Sequence, residues 1–198
     1  MKKITAKVLV LGTIMLSCGA SFMWPINTIF IHNYLHKSLA VAGIVLFFNS
    51  LCNFIGNYIG GKMFDRLGGH KTAMINASIA LIALMGLIIN HNWPAFPVFL
   101  SMLGFGIGGT YTVINSSAAF IGVVDRYKVF NNIYMGSKIG SLIGTAICSV
   151  IVEIQISLVF VADFICVLSF LVMAYFLYNN PAKLVRKNLL RKFRLSGN

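Results

Sequence analysis

Asn27, Asn49, Asn53, Asn57, Tyr111, Asn115, Lys138 and Asp163 stand inside long apolar runs of this sequence. A polar group held away from water costs free energy unless it is partnered or faces a wet cavity, so each is a candidate for a solute path. Asn49, Asn53 and Asn57 recur every four residues, which puts them on one helix face. That face reads either as the wall of a cavity or as hydrogen-bonding glue between helices. Lys138 could hold an anionic group of a solute, or snorkel its ammonium to the surface along its own stem. Asp163 could pair with a polar neighbour, titrate with a transported proton, or reach the interface. Catalysis has less to work with. His32, His36, His70 and His91 all fall in polar connections, so no base accompanies a serine nucleophile inside a run. The acids Asp65, Asp125, Glu153 and Asp163 are far apart, and Cys18, Cys52, Cys148 and Cys166 show no metal-ligand spacing. The reading is no catalytic residue, no metal, no cofactor and no enzyme, with the cysteines packing as small apolar groups.

The elements that must carry these residues follow from composition. The chain of 198 residues is 58% hydrophobic and 10% charged, with a mean hydropathy of +0.85. That balance excludes a soluble domain and points to an all-α polytopic membrane protein with six transmembrane helices. The apolar runs cover about Val8 to Ile31, Leu39 to Met63, Thr72 to Ile89, Ala95 to Val124, Val129 to Val152, and Ile156 to Tyr178. Residues 1–178 form the six-helix bundle and 179–198 a basic tail. The start, Met1-Lys2-Lys3 and then Ser17-Cys18-Gly19-Ala20, imitates a secretory signal, but the apolar run continues to Ile31, as an uncleaved first span does. The net charge of +12 does not mark a nucleic-acid partner. Apart from Lys37 and Lys138, every Lys and Arg lies before the first run, at the very end of the second, or after the second, fourth or sixth, and so on one side of the membrane. By the positive-inside rule both termini are cytoplasmic, in the cell membrane.

The second and third runs are joined by Gly60-Gly61-Lys62-Met63-Phe64-Asp65-Arg66-Leu67-Gly68-Gly69-His70-Lys71-Thr72. This reads as a tight polar hairpin in which glycines turn the backbone and Asp65 can meet Arg66, Lys71 or a helix end. Two glycine-rich stretches follow. Gly104, Gly106, Gly108 and Gly109 lie in the fourth run, and Gly136, Gly140 and Gly144 recur every four residues in the fifth, as a seam for close helix approach.

The order Gly61-x-x-x-Asp65-Arg66-x-Gly68, with Lys71 three residues on, resembles the loop between the second and third helices of major facilitator superfamily (MFS) transporters. There the family pattern has two basic residues after the last glycine, where this chain has Gly69 and His70. The resemblance covers essentially the whole chain and implies the N-terminal six-helix bundle of such a permease. It implies a gating role for Gly61, Asp65, Arg66, Gly68 and Lys71, and transport of a small solute by alternating access. In the family the fourth helix often carries an arginine linked to proton coupling, where Leu100 stands here. The antiporter branch ends its fifth helix in glycine-proline, where this chain has Gly144-Thr145. The expected partners are membrane lipid, a small-molecule solute and a second six-helix bundle, on a separate chain or a second copy of this one. The alternative is a complete six-helix homodimeric transporter, and behind it an intramembrane enzyme.

Overall fold

The computed structural model describes residues 6–119 and 126–177. Asp125 and the basic tail from Lys183 to Arg194 lie outside the described residues. Six helices are long and apolar enough to cross a membrane, because without water every backbone polar group must be satisfied within its own segment. They are α1 (Ala6–Ile29, continued by a π-helical turn at Phe30–Tyr34), α2 (Leu39–Leu67), α3 (Gly69–Ile89), α4 (Ala95–Ala119), α5 (Arg126–Ile154) and α6 (Leu158–Leu177). Ser38 caps α2, its hydroxyl accepting from the Val41 N–H at 3.3 Å.

The hairpin is much tighter than the glycines and charges suggest. Helix α2 runs on to Leu67 and α3 begins at Gly69, so Gly68 alone leaves the helical conformation. Its φ of 86° is one that a side chain rarely tolerates. Its N–H closes the end of α2 on the Phe64 carbonyl at 2.9 Å, and the Thr72 hydroxyl donates to its carbonyl at 2.9 Å. Asp65 and Arg66 therefore sit on the last turn of α2, exposed, while Gly68 is buried. Helix persists here because Gly60 is no loop residue: a Cβ on it would lie 2.7 Å from the Gly109 Cα of α4.

In space the helices follow the order α2, α4, α3, α6, α1, α5, each packed chiefly on its neighbours in that arc. Exchanging α1, α2 and α3 for α4, α5 and α6 maps this order onto itself reversed, so the bundle is two three-helix units of inverted topology. Two crossings close it with backbone against backbone. Along α2 and α4, a Cβ on Gly56 would collide with the Phe105 carbonyl and one on Gly108 with the Asn53 carbonyl. Along α1 and α5, a Cβ on Gly140 would lie 2.5 Å from the Ile14 carbonyl and one on Gly144 2.5 Å from that of Cys18. Such close approach drives helix association where lipid removes the hydrophobic incentive. The core between the helices is apolar: Phe22, Phe30, Phe96, Phe160 and Phe170 are almost fully buried. Cys18 and Cys148 are buried and all four cysteines are free, in keeping with their reading as apolar packing groups.

The terminal helices of the arc are the least covered. Only 17% of the apolar stretch of α2 and 22% of that of α5 is buried, against 39% to 50% in the other four. Each of these two helices therefore keeps most of its circumference free of the rest of the bundle.

The seam gives a direct test. Gly108→Ala sets a methyl against the Asn53 backbone, which cannot swing aside, and should cost about 3 kcal/mol, the upper end of the usual overpacking range. A fall in the thermal midpoint of the detergent-solubilised protein checks this. Gly43→Ala, where a Cβ meets nothing within 4 Å, should leave the midpoint unchanged.

Candidate functional site

Between α2 and α5, floored by α1, α4 and α6, lies a cavity of about 560 Å³. That is within the usual range for a small-molecule site. Each helix supplies a strip. From α1 come Ser17, Ser21 and Asn27, and from α2 Asn49, Ser50 and Asn53. From α4 come Leu100, Leu103 and Tyr111, from α5 Ser137, Ser141 and Thr145, and from α6 Asp163 alone. The strips follow helix geometry: Ser17 and Ser21, Asn49 and Asn53, and Ser137, Ser141 and Thr145 are each spaced by four, which stacks them on one face.

Of the residues singled out by sequence, Asn27, Asn49, Asn53, Tyr111 and Asp163 meet on this cavity. Asn57, Asn115 and Lys138 are not among its lining. The asparagine stripe of α2 turns out to do both of the things it could do. Asn53 lines the cavity while its amide donates to the Gly104 carbonyl at 3.1 Å. Asn57 donates back to the Asn53 side chain at 3.0 Å and accepts from Thr112 at 2.8 Å, so it ties α2 to α4. Asn49 stays on the wall with its carbonyl oxygen buried and unpartnered. Asn115 is exposed. Lys138 is exposed as well, its ammonium 5.1 Å from the centre of the Tyr134 ring. Its position one residue from Ser137 rotates it about 100° off the cavity strip of α5.

The middle of the cavity is held by one node. The Ser17 hydroxyl donates to Ser137 on α5 at 3.0 Å and lies 3.1 Å from the Tyr111 hydroxyl of α4. Three helices thus meet through hydrogen bonds whose groups still face the cavity. Asn27 and Asp163 are each 2% exposed, and each keeps one carbonyl or carboxyl oxygen without a partner. Among the described lining residues Asp163 is the one side chain charged in its ordinary state; no Lys, Arg or His lines the wall. The hydroxyls of α1 and α5 were missed by the sequence reading. Their spacing by four, next to the glycine seam of α5, was the available signal.

The gating-loop residues lie elsewhere. Gly61, Asp65, Arg66, Gly68 and Lys71 cluster at the α2–α3 turn, and none lines the cavity. Among the described residues no cation lies within ion-pair distance of Asp65.

Comparison with known proteins follows the same line. The family model of the Major Facilitator Superfamily matches residues 9–196. The chain is 41% identical to the Uncharacterized MFS-type transporter YttB of Bacillus subtilis (strain 168), over 88% of this chain and 44% of that protein. It is 30% identical to the human Voltage-gated purine nucleotide uniporter SLC17A9, over 73% of this chain and 34% of that protein. The chain spans less than half the length of either relative.

The division of the asparagine stripe can be read by thiol chemistry. In a variant with Cys18, Cys52, Cys148 and Cys166 replaced by alanine, Asn49→Cys and Ser141→Cys should react with a small water-soluble maleimide. Asn57→Cys should react at least about tenfold more slowly, as thiol reactivity follows access. Labelling rates measured by mass shift check this.

Proposed function

The chain belongs to the Major Facilitator Superfamily, and from that premise we propose that it forms one six-helix wall of a solute permease that works by alternating access. It is an integral, multi-pass membrane protein of a family of transporters. The observation that carries the reading is the polar cavity on the side where α2 and α5 end the arc. Its wall draws on five helices, and the two helices that flank it are the ones left mostly uncovered.

A second six-helix bundle, set against α2 and α5, would close the cavity and provide the moving counterpart that alternating access requires. Solute would then lie between the two, against Asn27, Asn49, Asn53, Tyr111 and Asp163 on this side. The hydroxyl strip of α5 adds adaptable donors and acceptors, and the leucines of α4 an apolar patch. Asn57, Asn115 and Lys138 take supporting places in this reading, Asn57 holding α2 on α4 and Lys138 lying on the surface that meets the second bundle or the lipid.

The gating motif fits a role at the membrane surface. Gly68 fixes the angle between α2 and α3, and Asp65, Arg66 and Lys71 stand exposed around it, where partners from a second bundle can reach them. Among the described residues Lys7, Lys62, Arg66, Lys71, Arg126 and Lys128 lie at this end of the bundle, and Lys37 at the other. That asymmetry supports a cytoplasmic Gly68 turn in the cell membrane. SLC17A9 is named for purine nucleotides, which are anions. The wall described here, with a carboxylate and no cationic side chain, supports a different class of solute.

Two outcomes are expected. A cysteine at Leu67, on the same cysteine-free background, should stay unlabelled by an impermeant maleimide added to intact cells and become labelled once they are permeabilised. Saturable solute flux into vesicles should require a second six-helix bundle in the same membrane. Flux by this chain as a monomer would defeat the reading.

A further inference from the structure

Asp163 raises a question that solute transport in general leaves open. It is 2% exposed, it stands in the second turn of α6 on the wall of the cavity, and among the described residues no cation stands near it. The ionisable groups around it are Cys18 from α1, Tyr111 from α4 and Cys166 on its own helix. Two thiols and a phenol bring no positive charge. An uncompensated carboxylate at this depth is costly, and its cost is removed when a cation occupies the cavity.

The other polar groups of the wall are amides and hydroxyls, able to donate or accept, and they bring no charge. What such a wall lacks is positive charge, and an anionic solute would meet Asp163 head-on. The remaining surface, Met23, Leu46, Leu100, Leu103 and Ile107, is apolar.

Resting on the reading of this cavity as a solute path, we propose that it takes an amphipathic organic cation, an ammonium group on an apolar frame, with Asp163 as its counter-ion. The amides and hydroxyls of the wall meet other polar groups of the solute, and the leucine patch of α4 receives the frame. The inverted repeat supplies a comparison inside the molecule. On α6, Asp163 Oδ1 stands where a Cβ on Gly19 of α1 would fall; on α3, Asn76 Oδ1 stands where a Cβ on Gly109 of α4 would fall. Corresponding places in the two units thus hold a carboxylate and an amide. The amide, buried and bonded to the Thr72 carbonyl at 2.9 Å, is compatible with the packing. A carboxylate is not needed to fill such a place, and Asp163, unlike Asn76, lies on the cavity.

The test uses the full chain in nanodiscs and two fluorescent probes, dansylcadaverine, a primary ammonium, and its neutral N-acetyl derivative. Wild-type protein should bind dansylcadaverine saturably and the acetylated form far more weakly. Asp163→Asn should bind the ammonium at least about thirtyfold more weakly than wild type, the loss expected when one partner of a buried charge pair is removed. It should also treat the two probes alike, while eluting as a single species with unchanged helical circular dichroism. Asp163→Glu keeps the charge and should keep the preference, which covers the case of an Asn variant that does not fold. Equal binding of both probes by wild type, a preference that survives Asp163→Asn, or no binding of the ammonium form overturns the proposal. Equal binding leaves the solute-path reading in place. That reading fails separately, if cysteines at Asn49 and Ser141 prove closed to water-soluble reagents.

Discussion

Backbone-to-backbone contact at two helix crossings is the constraint on which the rest of this bundle depends. Lipid removes the hydrophobic reason for helices to associate, so the attraction must come from dispersion and hydrogen bonds at short range. Gly56, Gly60 and Gly108 allow this between α2 and α4, and Gly140 and Gly144 between α1 and α5. Each of the two flanking helices is thereby held along a single stripe. The remainder of its surface stays available, part to the cavity and part to whatever lies outside the bundle. Had the same helices been held by bulky side chains on two faces, the cavity would be narrower and its sides already occupied.

The glycine seams also explain why polar residues survive at this depth. Where backbones touch, carbonyl oxygens of one helix come within reach of side chains on the next. Asn53 donates to the Gly104 carbonyl, and Thr112 reaches the carbonyl and side chain of Asn57. Other hydroxyls turn back on their own helix, as Thr13 on Leu9 and Thr110 on Gly106, a local solution that hides polarity from lipid. Asp163, Asn27 and Asn49 each keep one oxygen that neither solution satisfies, as Asn76 and Ser117 do away from the cavity.

Much of the architecture was legible in the sequence. Six runs of spanning length, the seam at Gly136, Gly140 and Gly144, and the packing role of the cysteines all follow from composition and spacing. The site was legible only in part. Asn49, Asn53 and Asn57 share a face, and nothing in their spacing separates the one that lines the cavity freely from the one that ties two helices together. The partner on α4 decides, and Thr112 is known as that partner only once the helices are placed. The hydroxyls of α5 were hidden for a related reason: a serine in a membrane helix ordinarily bonds its own backbone, as Ser149 does with Ala146, so its type says little about its surroundings. The hairpin misled in another way. Glycine and charge there have the look of a loop, yet Gly60 and Gly61 belong to a helix because close packing, not turning, is what Gly60 is for.

Gly68 has a mechanical consequence. With a single residue between them, α2 and α3 have no slack: neither can tilt without dragging the other through the turn. The left-handed backbone at Gly68, closed at both sides by hydrogen bonds to Phe64 and Thr72, acts as a stiff elbow. Torque applied to α2 at the membrane surface is delivered to α3, and through its packing on α4 and α6 to the whole arc. A turn this short ties the tilt of α2 to that of α3.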